Sequence, residues 1–289
     1  MQQKPYLKKI GIYKIIFPLA AALILISTSA KSLELVDSVH FSGQVFSSTG
    51  VIPEKLSVLA DCQDQRERIL GKIEGGRYHI DLPPGITCSI VIAEYEWDSD
   101  PQPVFDARTA IPLPVLVYPR QVPEPNLARE LLEMGRQDSV MRRSWANERQ
   151  NSTSTKQMQT DDSLRQKRLM KIIEKKGWPT HSMVGAQAAR GAWLIAQHSP
   201  AEQLRHWLEL MQKAARKHEI NLSNLATSID RVLVNDNKMQ IYGTQYRKRE
   251  DGVIEPKPIE DFANIDARRF SMGMSSYAQY LEVIQSSPP

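Results

Sequence analysis

A change of hydrophobic periodicity at the segment PRQVPEPN, residues 119–126, divides this sequence into two parts. Before the segment, apolar residues alternate with period two, as in β-strands; after it they recur every three or four residues, as in amphipathic helices. The three prolines favour an extended spacer between the two patterns. The sequence therefore predicts an α+β chain with a β-rich domain at residues 31–118, a proline-rich linker at 119–126 and a mostly helical domain at 127–289.

The β-rich part contains short strand-like runs separated by turn residues. The runs are VHFSGQVF, KLSVLADC, GGRYHIDL, ITCSIVIAEYEW and LPVLVY. Their even spacing predicts a small antiparallel β-sandwich. The run GGRYHIDLPPG followed by an apolar strand resembles the transthyretin-like or carboxypeptidase-regulatory-like sandwich modules of exported proteins. The resemblance implies an accessory domain that holds or presents its neighbour and carries no catalytic residues.

Residues 1–30 have the pattern of a signal peptide. Four lysines precede the apolar run IIFPLAAALILI, which is short for a membrane-spanning helix, and small residues lead up to Ala30. We expect cleavage after Ala30 and a periplasmic or secreted protein. The alternative is an uncleaved segment that anchors the protein in the inner membrane.

The charge of the chain argues against a nucleic-acid partner. The sequence contains 37 basic and 33 acidic residues. Four of the basic residues lie in the expected signal peptide, which has no acidic residue, so the remainder is balanced at 33 of each sign. A nucleic-acid-binding protein normally has a basic face. We therefore expect a protein or a cell-envelope component as partner, no nucleic acid, and membrane contact only through an uncleaved signal segment.

The two cysteines are predicted to face the same apolar layer of the sheet. Cys62 ends a run in which apolar residues alternate, and Cys88 begins another such run. In an oxidising compartment the pair forms a candidate disulfide; the alternative is two buried free thiols. Two cysteines without nearby histidines cannot complete a zinc site, and we expect neither a metal nor a cofactor.

The second part of the chain predicts five main helices, a hairpin and two short helices. An alanine- and glycine-rich helix, MVGAQAARGAWLIAQH, presents little bulk and is placed at the centre of the bundle. The polar stretch at residues 150–162 is predicted to be a loop. Residues 239–258 are predicted to form an edge β-hairpin, with Asp251-Gly252 at its turn and prolines in the returning strand.

Several blocks of this part carry a resemblance. The segments KKGWPTHSMVG, AWLIAQH, IDRVLV, IYGTQY and PKPIED, followed by paired arginines, resemble an uncharacterised bacterial family of helical domains in which the same blocks recur in this order. The resemblance covers about residues 127–281 and implies no established activity. Members of that family often have Gln-His-x-Asp at the end of the third helix, whereas this chain has a proline at the last of those positions.

Three residues are candidates for acid–base chemistry: His198, Asp138 and Asp230. His198 lies in the last turn of the central helix, where it is either a helix-end cation or an acid/base. Asp138 lies on an apolar stripe and needs a cation or backbone donors, with Arg231 or Arg269 as expected partners. Asp230 either orients His198 or forms a solvated charge pair with Arg231.

The candidate ligand-binding residues lie around the hairpin. They are Arg231, Tyr242, Thr244, Gln245, Asp261 and Arg269. The alternative for Tyr242, Thr244 and Gln245 is that they tie the hairpin to the helices. The alternative for Asp261 is that it caps the following helix.

Two functional hypotheses use this same set of residues. The favoured one is an exported binding or interaction protein with a polar pocket or patch in the helical domain. The other is a hydrolase-like enzyme in which His198 acts with a carboxylate partner. No H-E-x-x-H, G-x-S-x-G or glycine-rich phosphate motif occurs in the sequence. Convergence of His198 and a carboxylate in a cleft would favour the enzyme.

Overall fold

The structure is a computed structural model that describes residues 38–286, apart from residues 64, 66, 95, 148–151 and 250–252. The described residues lie in one compact unit. The predicted α+β class is confirmed, because an eight-stranded sheet is followed by a helical region with a small two-stranded sheet. The predicted signal peptide lies outside the described residues. Its cleavage, like the division into two domains, stays a prediction.

The large sheet contains eight strands, named β1 to β8. Their bounds are Val39–Ser47, Ser57–Cys62, Ile69–Glu74, Arg77–Leu82, Cys88–Ala93, Trp97–Ser99, Gln102–Val104 and Val115–Pro119. The sheet is curled, with the spatial order β6-β8-β1-β4-β3-β2-β5-β7. All its pairings are antiparallel except that of β1 with β8, which is parallel. The prediction of a purely antiparallel sandwich is wrong on this point, because period-two alternation does not reveal the direction of a partner strand.

The core of the sheet follows the predicted alternation. Tyr78, Ile80 and Leu82 are buried along β4, while the residues between them face outward. Cys62 and Cys88 lie directly opposite each other on β2 and β5, and their sulfurs form a disulfide of 2.07 Å. The predicted pairing is therefore present in the structure.

The helical region contains eight α-helices, named α1 to α8, in the described part of the chain. Their bounds are Pro125–Asn147, Ser152–Lys176, His181–Val184, Ala186–Gln197, Ala201–Ala215, Leu222–Asn235, Ile265–Ser271 and Tyr277–Ser286. The loop predicted for residues 150–162 is wrong from Ser152 onward, since α2 begins there. The polar side chains of this turn contact α1, as in the hydrogen bond of 2.9 Å from Trp145 Nε1 to Thr155 Oγ1. None of the described helices is long and apolar enough to cross a membrane.

The central helix of the bundle is α4, which packs against α1, α2 and α5. A Cβ atom on Gly191 would lie 2.3 Å from the carbonyl oxygen of Leu131 on α1. A Cβ on Gly135 would lie 2.8 Å from the Cα of Gly191. The small residues predicted to thin this helix thus bring its backbone against α1. The approach places the C-terminal end of α4 beside the second half of α1.

The hairpin is shorter than predicted. Strands β9, Tyr246–Lys248, and β10, Ile254–Pro256, pair in antiparallel fashion, whereas residues 239–245 form no strand. The backbone turns at Gly243, which has a φ of 70°. Period-two alternation in MQIYGTQY was misleading, because three N–H groups of this segment bind a side chain of α6 instead of a neighbouring strand. We name residues 240–245 the Asp230 loop, after that side chain.

Candidate functional site

His198 and Asp138 meet where α4 ends against α1. The Asp138 side chain is 1% exposed and lies on the buried stripe of α1, whereas His198 caps the C-terminus of α4 and is 23% exposed. The imidazole Nδ1 lies 3.2 Å from Asp138 Oδ1 and 3.1 Å from Oδ2. The carboxylate partner expected for His198 is thus Asp138. Asp138 itself is paired with His198 and Arg142, not with the predicted Arg231 or Arg269.

Arg142 competes for the same ring nitrogen. It lies one turn after Asp138 on α1, and its Nε is 2.8 Å from His198 Nδ1 and 3.3 Å from Asp138 Oδ2. If Nδ1 is unprotonated, it accepts from Arg142, and the imidazole proton is then on Nε2. If Nδ1 carries a proton, it donates to Asp138, and Nε2 is free to act as a base. The two arrangements exclude each other, so a proton shift on His198 changes what Arg142 can bind.

The charge state of Asp138 follows from its surroundings. Burial raises the pKa of Asp138, but the hydrogen bond and charge of His198, together with Arg142, outweigh burial and hold the pKa below its ordinary value. Asp138 is therefore ionised at neutral pH. A buried carboxylate of this kind stabilises a neighbouring cation, either a protonated His198 or Arg142.

Helix α2 completes this group of side chains. Asp162 accepts from Arg142 Nη2 at 2.8 Å and from Arg165 Nη2 at 3.1 Å. Gln166 Nε2 donates to the backbone carbonyl of His198 at 3.1 Å, which fixes the end of α4 against α2. We name Asp138, Arg142, Asp162, Arg165 and His198 the His198 cluster.

Arg231 lies on α6 one turn after Ser228, whose hydroxyl donates to Gln197 Oε1, next to His198, at 3.0 Å. The Arg231 side chain is half-buried, and its Nε is fully buried without a hydrogen-bond partner. Burial lowers the pKa of Arg231, and the positive charge of Arg142 lowers it further. Arg231 nevertheless stays protonated at neutral pH, because the ordinary pKa of arginine is far higher. A cation of α6 therefore lies near a cation of α1.

Asp230, the neighbour of Arg231, has a different environment. Its fully buried carboxylate accepts hydrogen bonds from the backbone N–H groups of Ile241, Tyr242 and Thr244 and from the Thr244 hydroxyl, at 2.8–3.2 Å. These contacts make Asp230 the acceptor that shapes the Asp230 loop. The structure does not bring this carboxylate to His198. The sequence left either Asp138 or Asp230 as the partner of His198, and in the structure that partner is Asp138.

The polar side chains of the Asp230 loop are directed largely at the protein. Gln240 is fully buried, and its Nε2 donates to the carbonyls of Gln245 and Lys257, each at 2.8 Å. Gln245 Nε2 donates to Thr244 Oγ1 at 3.1 Å. Burial, and then the charge of Asp230, raise the pKa of Tyr242. Thr244 thus has the contacts of the alternative in which it ties this segment to the helices, whereas the partners of Gln245 lie in the loop and the hairpin.

Arg269 and Asp261 also have protein partners. Arg269 is 1% exposed; it donates from Nη1 to the Tyr242 carbonyl at 2.6 Å and lies over the Tyr280 ring at 4.7 Å. Asp261 precedes a 3₁₀ helix, Phe262–Asn264, with a φ of 42°, but its side chain makes no capping hydrogen bond. Its carboxylate accepts from the Asn264 side chain at 2.8 Å instead. Arg269 thus anchors α7 to the Asp230 loop, whereas the Asp261 carboxylate binds Asn264 and Arg268.

The predicted site residues therefore separate into two groups. His198 and Asp138 come together, with Arg231 on the neighbouring helix α6, while the remaining candidates except Asp261 surround Asp230 or hold its loop. Sequence reasoning missed the residues Arg142, Asp162, Arg165 and Gln240. Arg142 was detectable, since it follows Asp138 by four residues and the two share one face of α1. Among the described residues, no group of three or more His, Cys, Asp or Glu side chains could hold a metal ion.

Comparison with known proteins matches one family. The model of a family of unknown function (DUF6624) covers residues 125–287, which is more than half of the chain and includes both groups of side chains. No curated protein matches the chain. No solved structure matches it either, so the resemblance of the β-rich part to sandwich modules has no support from these comparisons.

Proposed function

We propose that this chain, which belongs to the DUF6624 family of unknown function, is an exported protein. Its helical region binds a polar ligand at the His198 cluster. The observation that carries the proposal is the meeting of Asp138, Arg142 and His198 at the junction of α1 and α4. An ionised carboxylate within a helical core is costly unless it is paired. Here it holds two partly exposed side chains, those of His198 and Arg142.

The predicted signal peptide and the disulfide support the exported location. Disulfides persist in oxidising compartments such as the periplasm and are rare in the cytosol. The Cys62–Cys88 bond joins paired positions of the sheet, where both side chains are buried. Intact mass of the protein purified from an expressing bacterium tests this part. A mass equal to that of residues 31–289 with two hydrogens missing supports export, whereas retention of residues 1–30 and free thiols contradicts it.

The binding proposal is tested by a thermal-shift screen of the purified protein. The compounds are soluble cell-wall fragments, nucleotides and metal salts, and each hit is repeated on His198→Ala. We expect a hit whose stabilisation disappears in this variant. His206→Ala is the matched control, because His206 is an exposed histidine on α5. Hits that survive His198→Ala unchanged contradict the assignment of the site.

A second candidate function is acid–base catalysis by His198. The distance of 3.1 Å between His198 Nδ1 and the buried Asp138 carboxylate favours it, since a carboxylate in this position orients the ring and stabilises its protonated form. Against it, Arg142 Nε competes for Nδ1. No serine, threonine or cysteine of the described part is hydrogen-bonded to the ring, so the available chemistry is proton transfer to a bound water or substrate.

Hydrolysis of chromogenic esters and glycosides by the purified protein tests the second candidate. An enzyme of this kind loses turnover in both His198→Ala and Asp138→Asn and keeps it in His206→Ala. Arg142→Gln should shift the pH profile of kcat, because it removes the competitor for Nδ1. Turnover that is the same in all four variants contradicts a role for His198 in catalysis.

A further inference from the structure

Arg231 is a cation without an anion. Its guanidinium makes no hydrogen bond and no ion pair with any residue in the described part of the chain, and its Nε is fully buried. Ser228, one turn before Arg231 on α6, donates to Gln197 Oε1 beside His198 at 3.0 Å. Burial, and then the positive charge of nearby Arg142, lower the pKa of Arg231. A half-buried guanidinium has lost part of its hydration, and pairing with an anion restores the lost stabilisation. The missing partner is expected to come from outside the protein.

The charges around Arg231 leave one positive charge uncompensated. The His198 cluster and Arg231 together contain three guanidinium groups and two carboxylates. Arg142 and Arg165 share Asp162, and Arg142 also contacts Asp138. With His198 neutral, the His198 cluster and Arg231 together have a net charge of +1. A single negative charge on a bound ligand would balance it.

The free donors favour a flat anion. The Nη groups of Arg142 already contact Asp162 and the Met158 sulfur, and its Nε points at His198 and Asp138. The two Nη groups of Arg231, unlike its buried Nε, are free to bind a ligand. A planar guanidinium edge matches the two oxygens of a carboxylate in a bidentate pair. A phosphate dianion would bring one more negative charge than the group can neutralise.

We propose that Arg231 binds a carboxylate group of the ligand, with Arg142 and His198 lining the same site. The proposal rests on the proposed function and names the chemical class of its ligand: a small polar molecule that carries one carboxylate. His198 then contacts the remainder of the ligand through its Nε2, while its Nδ1 accepts from Arg142. In this arrangement the bound carboxylate supplies the charge that Arg231 lacks.

The test uses acetate as the probe and follows arginine Nε–Hε signals of the ¹⁵N-labelled full chain by NMR. Sodium chloride is replaced stepwise by sodium acetate at constant ionic strength, and Arg231→Lys, which lacks Nε, identifies the Arg231 signal. We expect a saturable shift of that signal with acetate and none with acetamide, its neutral isostere. In Arg231→Gln, followed through the His198 ring signals, binding should weaken by about 30-fold or more, so that saturation is not reached.

Arg143→Gln is the matched control. It removes the same charge from an exposed arginine next to Arg142, and it should leave acetate binding unchanged. Equal shifts with acetate and acetamide, no saturation, or undiminished binding in Arg231→Gln would overturn the proposal. So would inorganic phosphate that binds tenfold more tightly than acetate, because the site would then prefer a different anion.

The outcomes separate this inference from the proposed function. A neutral compound that binds through His198, together with no acetate binding, overturns the carboxylate inference and leaves the proposed function standing. The opposite combination is saturable acetate binding at Arg231 together with a thermal-shift screen in which no stabilisation depends on His198. This result contradicts the proposed function and leaves the carboxylate inference standing.

Discussion

Substitution of Asp230 by alanine should strongly destabilise the fold. The carboxylate is fully buried and accepts from three backbone N–H groups and one hydroxyl of the Asp230 loop. An unmade hydrogen bond to a buried polar group costs about 1–3 kcal/mol, so four lost bonds set an upper range of about 4–12 kcal/mol. Relaxation of the loop and entry of water recover part of this cost. We expect a loss of about 3–5 kcal/mol in the free energy of unfolding, similar to other broken buried networks.

The assay is urea denaturation followed by tryptophan fluorescence, with the disulfide intact. Asp236→Ala is the matched control, because Asp236 follows the same helix but pairs with Arg205 at a partly exposed position. The control should lose at most about 1 kcal/mol. If Asp230→Ala loses no more than the control, the carboxylate is not what holds the loop, and the structural role assigned to Asp230 is wrong.

Three further predictions concern the rest of the fold. The pKa of Asp138 is lowered in the folded protein, so its contribution to stability is complete above the unfolded pKa of about 3.9 and is lost as the pH falls through the folded pKa. Asp138→Asn should therefore flatten that part of a curve of unfolding free energy against pH, measured by urea denaturation. An unchanged slope would contradict the pairing of Asp138 with His198 and Arg142. Gly191→Ala should cost about 1–3 kcal/mol in the same assay, because its Cβ would meet the Leu131 carbonyl oxygen and push α4 from α1; a gain in stability would show that the helices are not in close contact. Replacement of Cys62 and Cys88 by alanine opens a loop with a sequence separation of 26, and should lower the free energy of unfolding by about 3 kcal/mol; equal stability of this variant and the oxidised protein would contradict the bond.

The periodicity and size of side chains were sufficient to predict the structure of a segment where that segment's own residues decide it. Alternation in KLSVLADC and CSIVIA predicted buried strand faces and the meeting of Cys62 with Cys88, since side chains of a strand point to one face at every second residue. Small residues in the central helix predicted a close approach, because the distance between two helices depends on the side chains between them. The position of His198 at the end of that helix followed from the same pattern.

Pattern misled where a distant side chain replaces a local hydrogen bond. The Asp230 loop alternates like a strand, but three of its N–H groups bind a carboxylate that lies on α6, more than ten residues earlier in the chain. The polar turn that begins α2 has the composition of a loop, yet it is helical beside α1. Both outcomes depend on contacts between segments that periodicity does not represent.

The sequence by itself determined the α+β class and the main succession of strands and helices, because both follow from side-chain periodicity. It also indicated a candidate disulfide and a resemblance to a family of helical domains, from pairing chemistry and the order of its blocks. Only the tertiary structure decided which carboxylate meets His198 and which arginine is left without an anion. From the sequence alone, Asp138 and Asp230 are both candidate partners of His198. The packing of α4 on α1 selects Asp138, while the loop after α6 occupies Asp230, since a buried carboxylate binds the donors that the fold places around it.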